Sequence, residues 1–193
     1  PDCRDNTAIG YRAGYSLTTS YQNTFIGAEA GESNTTAHSQ VAVGYRALYT
    51  NTTGTDNVAI GLFALKENVT GADNTAVGTN SLFVNTGNKN TAVGKDSLRV
   101  NVGGASNVSV GYRSLYANTT GVEGVAIGYQ ALLANVGGSN NVGVGTQALA
   151  ANTAGTDNVA VGRYALMANT TGTDSTGIGR QALYTNTSAI DNT

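Results

Sequence analysis

The chain has 193 residues, of which 11% are charged and 40% are hydrophobic, and its formal net charge is -2. This near-neutral balance gives no electrostatic reason to expect nucleic acid or an anionic membrane as a partner. No apolar run approaches the ~20 residues that a helical bilayer span needs, so no membrane span is expected in this segment.

The sequence consists of one short unit repeated eleven times. Each unit contains a glycine preceded by Ile or Val, and these repeat glycines lie 17 residues apart except for one step of 16. The repeat glycines are Gly10, Gly27, Gly44, Gly61, Gly78, Gly94, Gly111, Gly128, Gly145, Gly162 and Gly179. Fixed self-similarity predicts an array whose units contact mainly their neighbours. Residues 1–193 are therefore interpreted as a single repeat array. Because copies run almost to both ends, we expect the array to be a segment of a longer chain.

A short strand precedes each repeat glycine. Three residues before it stands Val or Thr, directly before it stands Ile or Val, and a small residue, usually Ala, separates the two, as in Val58-Ala59-Ile60. This strand triplet has the period-two pattern and the β-branched residues that favour extended backbone. Asn precedes the triplet in eight of eleven copies and suits a turn into the strand.

The residues after the repeat glycine supply a second apolar anchor and a turn. Ala or Ser stands three residues after the glycine, and Leu stands four residues after it in nine copies, with Gly14 and Gly31 in the other two. A stretch such as residues 45–50 fits either a second strand or one helical turn, because it is too short to assign by periodicity. We favour an extended conformation. Residues 51–56, Asn-Thr-Thr-Gly-Thr-Asp, are a cluster of turn formers.

One unit cannot fold alone. About three buried apolar side chains, at ~1.5–3 kcal/mol each, do not offset backbone ordering of ~1–2 kcal/mol per residue. Stacking places Ile on Ile and Leu on Leu, with strands of successive coils ~4.7–4.9 Å apart. We therefore predict an all-β fold, a β-solenoid or β-roll of eleven coils of about 17 residues. The uniform Ala column fits either the crowded inside of a coil or a seam between chains.

A column of asparagines recurs seven residues after the repeat glycine. Its members are Asn34, Asn51, Asn68, Asn85, Asn101, Asn118, Asn135, Asn152, Asn169 and Asn186. Some lie in Asn-x-Ser/Thr sequons, which would accept glycans on an exposed turn. The sequon asparagines are Asn34, Asn51, Asn68, Asn107, Asn118, Asn169 and Asn186. Because Asn is kept in copies whose sequon is broken, we favour a stacked amide ladder over glycosylation.

Few residues could support catalysis or bind a metal. His38 is the one histidine and stands in a turn column, and Cys3 is alone, so it cannot close an internal disulfide. Acidic residues such as Asp56 and Asp73 come one per coil, without the ligand-dense pattern of calcium-binding repeats. We therefore expect no enzyme activity, no cofactor and no metal.

Units such as Asn57-Val-Ala-Ile-Gly61 and residues 45–54 resemble the repeats of tail fibre domain-containing proteins of phages and environmental bacteria. The strand triplet with its Asn and Gly is also similar to repeats in the head of trimeric autotransporter adhesins, which typically have a shorter period. These resemblances imply a homotrimeric fibre, located outside the cell or on a virion, whose partner is itself. A single-chain solenoid or another assembly, such as a filament, is the alternative. The sequence then predicts a structural rod. The alternatives on the same scaffold are an adhesin or glycan-binding surface, built on tyrosines such as Tyr45 and Tyr49, and, more weakly, an ice-binding surface built on the Thr-Gly-Thr turns.

Overall fold

The structure is a computed structural model that describes residues 3–193; Pro1 and Asp2 of the predicted array lie outside the described residues. The described part contains no helix, and hence none that could cross a membrane. Its thirteen strands are β1 (Thr7–Ile9), β2 (Thr24–Ile26), β3 (Val41–Val43), β4 (Val58–Ile60), β5 (Thr75–Val77), β6 (Val84–Asn85), β7 (Thr91–Val93), β8 (Val100–Asn101), β9 (Val108–Val110), β10 (Val125–Ile127), β11 (Val142–Val144), β12 (Val159–Val161) and β13 (Thr176–Ile178).

The strand triplets of all eleven units form one parallel sheet in the order β1-β2-β3-β4-β5-β7-β9-β10-β11-β12-β13, while β6 and β8 pair separately. Each residue pairs with its equivalent in the next unit, so that Ile9 lies opposite Ile26 and Val43 opposite Ile60. The step of 16 residues keeps this register, with Val77 opposite Val93. The predicted all-β solenoid is therefore confirmed, and its strands are parallel.

The inside of the coil is narrow and is lined by small residues. The central Ala of the strand triplet is fully buried in copies such as Ala42, Ala59 and Ala76, and so is the Leu column, as in Leu48 and Leu65. The β-branched residues on either side of that Ala point outward, because side chains alternate along a strand. The sequence allowed the Ala column to lie either inside the coil or at a seam between chains. In the structure it lies inside the coil.

The expectation of an extended segment after the repeat glycine was wrong. Residues 45–50 form a series of turns in which Arg46 and Leu48 adopt left-handed conformations, with φ of 53° and 54°. Leucine is unfavourable there, but Leu48 is fully buried and its N–H donates to the Ala64 carbonyl of the next coil at 3.0 Å. Burial and this hydrogen bond stabilise a conformation that residue type alone would not predict.

The repeat glycine is required by the close approach of successive coils. Gly78 has a φ of +131°, and a Cβ added there would lie 2.7 Å from the carbonyl carbon and oxygen of Gly94. Both the backbone conformation and the contact therefore exclude a side chain.

A Gly78→Ala substitution should lower the free energy of unfolding by about 3 kcal/mol or more, since it adds backbone strain to a steric overlap. Gly103→Ala is the matched control, because a Cβ at Gly103 meets nothing within 4 Å. Urea denaturation measures both variants. Equal stability of the two variants would contradict the close stacking of coils.

The second coil departs from the common core and compensates for the departure internally. Phe25 replaces the central Ala, and Gly31 replaces the Leu that lies opposite in other coils. A Cβ at Gly31 would lie 2.5 Å from the ring of Phe25, so a leucine cannot share the space with that ring. The same ring would lie 2.9 Å from a Cβ at Gly14, which replaces the Leu of the first coil, so the Phe25 ring extends into the leucine positions of both coils.

We predict strong coupling between these two positions. Gly31→Leu alone overpacks the coil, and Phe25→Ala alone leaves a cavity that costs about 3–5 kcal/mol. The double variant restores the Ala and Leu pair of the other coils and should recover most of the loss. A double-mutant cycle of unfolding free energies tests this expectation, which additive losses would overturn.

Candidate interaction surface

Two columns of buried asparagine run the length of the coil stack. The first ladder is the predicted column: the Asn68 Nδ2 donates to Asn51 Oδ1 at 3.0 Å and to the Gly71 carbonyl at 2.9 Å. The pattern recurs from Asn85 to Asn169. From Asn51 to Asn152 each amide is satisfied between coils, so the ladder holds the turn closed with these buried polar groups paired, whereas the Asn169 Oδ1 has no partner among the described residues.

The second ladder consists of the asparagines that precede the strand triplet, which sequence reasoning treated only as turn residues. The Asn57 Nδ2 donates to the Gly71 carbonyl at 2.8 Å, and the Asn57 Oδ1 accepts from the backbone N–H of Asn74 at 3.0 Å. The carbonyl of Gly71 thus joins both ladders. Recurrence of Asn in eight of eleven copies was the signal for this second role.

The hydrogen-bond pattern of the first ladder does not extend to its two outermost members, Asn34 and Asn186. Asn34 is fully buried, but its side-chain nitrogen and oxygen have no hydrogen-bond partner among the described residues. The Ala37 carbonyl, which replaces the usual glycine carbonyl, accepts instead from Ser20 and Asn23. At the other end Asn186 is partly exposed, and its Oδ1 accepts from the N–H of Ala189 at 3.2 Å.

The burial of these amides bears directly on the sequons. A glycan is attached to the asparagine side-chain nitrogen, so this atom must reach the surface. Asn34, Asn51, Asn68, Asn107, Asn118 and Asn169 are all buried, and five of them use this nitrogen as a donor to a glycine carbonyl. Glycosylation of these six side chains would displace them from the stacked coils, whereas Asn186 is partly exposed as a residue although its side-chain nitrogen is buried.

Two substitutions separate the structural role of the asparagine side chain from the role of its sequon. Asn118→Ala should lower the free energy of unfolding by about 2–4 kcal/mol, because it removes a buried amide and leaves its partners unsatisfied. Thr120→Ala abolishes the same sequon on an exposed residue and should change stability by less than about 0.5 kcal/mol. Chemical denaturation compares the two. A larger effect from Thr120→Ala would contradict the structural role.

Other candidate residues do not assemble into a site. The His38 ring stacks on Tyr21 with centroids 4.6 Å apart, and the exposed Cys3 accepts a hydrogen bond from Asn6. Among residues 3–193 there is no group of three or more His, Cys, Asp or Glu side chains that could hold a metal ion, and no pocket. The threonines that directly follow the first asparagine column donate between coils, as in Thr119, which donates to the Val136 carbonyl at 3.1 Å, but they are not the threonines of the Thr-Gly-Thr turns.

The most extensive candidate surface is the outward side of the eleven-stranded sheet. We call it the outer sheet face, and it consists of the first and third residues of every strand triplet. Ile60 and Ile127 on this face are 39% and 41% exposed. Eleven strands at ~4.8 Å spacing and two side-chain columns give an area of roughly 500 Å², at the upper end of the patches found on monomers. The area is largely apolar, although five first-position residues are threonines: Thr7, Thr24, Thr75, Thr91 and Thr176. The members at the third position are Ile9, Ile26, Val43, Ile60, Val77, Val93, Val110, Ile127, Val144, Val161 and Ile178.

A second surface, the aromatic ribbon, lies on the turns that follow the repeat glycines. Its rings are linked by cations: Lys66 lies over the rings of Phe63 and Phe83 at 5.5 and 5.0 Å, and Arg99 bridges Phe83 and Tyr116. The remaining members are Tyr45, Arg46, Tyr49, Tyr112, Arg113 and Tyr129. Cation–π contacts of this kind are worth ~0.5–1 kcal/mol each at exposed sites.

One ion pair lies at the start of this ribbon. The Arg46 side chain donates a hydrogen bond to the Glu29 carboxylate of the preceding coil, and this bond holds the pKa of Arg46 above its ordinary value. The same guanidinium, which is always charged, also lies over the rings of Tyr45 and Tyr49.

No protein-family model, no curated protein and no solved structure matches this chain.

Proposed function

We propose that this chain is a rigid rod segment of an extracellular or virion fibre, and that copies of it associate through the outer sheet face into a homotrimer. In this account the function is mechanical: the rod provides length and stiffness and displays whatever adjoins it. The observation that carries the proposal is the outer sheet face, an apolar strip that runs the full length of an eleven-coil stack.

The stiffness follows from the way the coils are bonded. Strand, turn and both asparagine ladders each connect a coil to the next, so bending the rod breaks hydrogen bonds in several places at once. Examples in one coil are Gly61 N–H to the Val43 carbonyl at 2.8 Å and Asn68 to Asn51 at 3.0 Å. A stack bonded in this way is stiffer than a flexible linker, so it is better suited to act as a spacer.

Association follows from the exposed area. A strip of roughly 500 Å² approaches the ~800 Å² per partner that stable interfaces bury, and bordering residues such as Leu62, Tyr112 and Tyr129 extend it. The exposed outer sheet face supports association with another copy but does not determine how many copies associate. The number three comes from the resemblance to adhesin heads, and electron microscopy of the purified rod, read for diameter and rotational symmetry, tests it.

Charges on the outer sheet face should abolish association without unfolding the rod. Ile60→Lys combined with Ile127→Lys should raise the dissociation constant at least ~100-fold, because the interface would bury two unpaired charges. Val69→Lys with Val136→Lys is the matched control: these valines are 42% and 45% exposed in a turn column outside the sheet. Sedimentation equilibrium measures both. A wild-type chain that is monomeric at all concentrations would refute the self-association.

A second candidate function is the binding of anionic glycans along the aromatic ribbon. Rings at regular spacing offer apolar faces to sugars, while Arg99 and Arg113 offer donors to carboxylate or sulfate groups. If this is correct, a glycan array probed with the rod shows acidic polysaccharides bound, and Arg99→Ala with Arg113→Ala weakens that binding at least ~10-fold. Binding that is unchanged in this variant would exclude the ribbon as the site.

A further inference from the structure

The outer sheet face has two edges of opposite charge. The chain crosses the face between two left-handed corner residues, one five positions before the repeat glycine and one two positions after it, as in Asp56 (φ 58°) and Phe63 (φ 59°). The first-corner residues of all coils form the acidic edge. Seven of these residues are acidic, and one, Lys89, is basic. The acidic members are Asp5, Asp56, Asp73, Glu123, Asp157, Asp174 and Asp191.

The opposite edge has the reverse charge. The basic edge comprises the first two residues after each repeat glycine, where the basic side chains outnumber the acidic residues Glu29 and Asp96. The basic members are Arg12, Arg46, Lys95, Arg113, Arg163 and Arg180. The two edges of one chain do not pair with each other: the ion pairs found among the described residues do not include Asp157, Asp174, Arg163 or Arg180.

We infer that these edges orient the self-association proposed above, so that copies pack with their outer sheet faces toward a common axis and with their rods parallel. When a copy is rotated about an axis that runs along the rod, its acidic edge meets the basic edge of its neighbour. When it is rotated about an axis across the rod, acidic edge meets acidic edge. The inference rests on the proposed function, because it assumes that the outer sheet face is covered by a second copy.

Repulsion within each edge adds to this preference. Asp157, Asp174 and Asp191 occupy equivalent positions in successive coils, so they stack at the ~4.8 Å coil spacing. Such a column of like charge is unfavourable in an isolated chain. In a parallel assembly Arg163 and Arg180 of the neighbour face it, whereas an antiparallel neighbour adds acidic residues of its own. Like-charge juxtaposition is the usual means by which an interface excludes a wrong arrangement.

Cross-linking tests whether the associated copies are parallel. In a Cys3→Ser background, Val43→Cys and Val144→Cys place single thiols on the outer sheet face three coils on either side of the central coil. Each variant alone should form dimers with a short bis-maleimide, since parallel copies bring equivalent coils together. After subunit exchange between the two variants, the mixed cross-link should amount to about a tenth or less of the like cross-links.

The outcomes separate the inference from the proposed function. A dominant mixed cross-link, or equal amounts of mixed and like cross-links, would overturn the parallel orientation while leaving self-association intact. A chain that is monomeric in sedimentation equilibrium would overturn both. The like cross-links alone support both.

A charge swap tests the edges themselves. Asp157→Lys with Asp174→Lys, or Arg163→Asp with Arg180→Asp, should each raise the dissociation constant about tenfold at low salt and less at high salt. The quadruple variant exchanges the edges and should return to within about threefold of the wild type. Lys66→Asp with Arg99→Asp is the control for net charge, because these residues lie outside both edges. A control that weakens association equally, or a quadruple variant that shows no recovery, would overturn the inference.

Discussion

The rest of this structure depends on the close approach of successive coils, which lets the backbone of each coil hydrogen-bond to the next. Backbone groups pair from coil to coil at 2.6–3.4 Å at the ends of the strands and in the turns alike. At that separation no side chain fits between the repeat glycines, where an added Cβ would contact the carbonyl of the following coil. Glycine at this position is therefore a steric requirement. The same separation brings equivalent amides of neighbouring coils within hydrogen-bond distance, so Asn can replace apolar residues at two interior positions.

The interior is consequently small and partly polar. Its apolar part consists of the Ala and Leu columns, and its polar part consists of the two asparagine ladders. This division explains why the second coil can exchange Ala and Leu for Phe25 and Gly31 without opening a void, because only the summed volume in the coil is fixed. The larger β-branched residues remain outside, which gives the rod an apolar strip at the upper end of the patch sizes found on monomers. The same packing that closes the coil thus also produces the surface through which we propose that copies associate.

Much of the fold could be predicted from the sequence, since the period, the strand triplets and the register all follow from repetition. The direction of the side chains could not, because Val-Ala-Ile places apolar residues on both faces and hydrophobicity alone does not decide which face is buried. The left-handed conformation of Leu48 was also beyond sequence reasoning, as it is stabilised only by burial and by a bond to the next coil. Of the predicted asparagine column, the members from Asn51 to Asn169 form a hydrogen-bonded ladder, whereas Asn34 and Asn186 do not join it. The second asparagine ladder was not predicted, because Asn before a strand has an adequate local explanation as a turn residue.

A rod with an apolar face and oppositely charged edges fits a fibre segment in which sequence repetition sets both length and orientation. The central claim is that the coils stack at a constant spacing through backbone hydrogen bonds. X-ray diffraction from aligned rods measures that spacing most directly. The account predicts a sharp meridional reflection at about 4.8 Å, corresponding to one coil. A pattern that lacks this reflection, or that places it off the rod axis, would contradict the account.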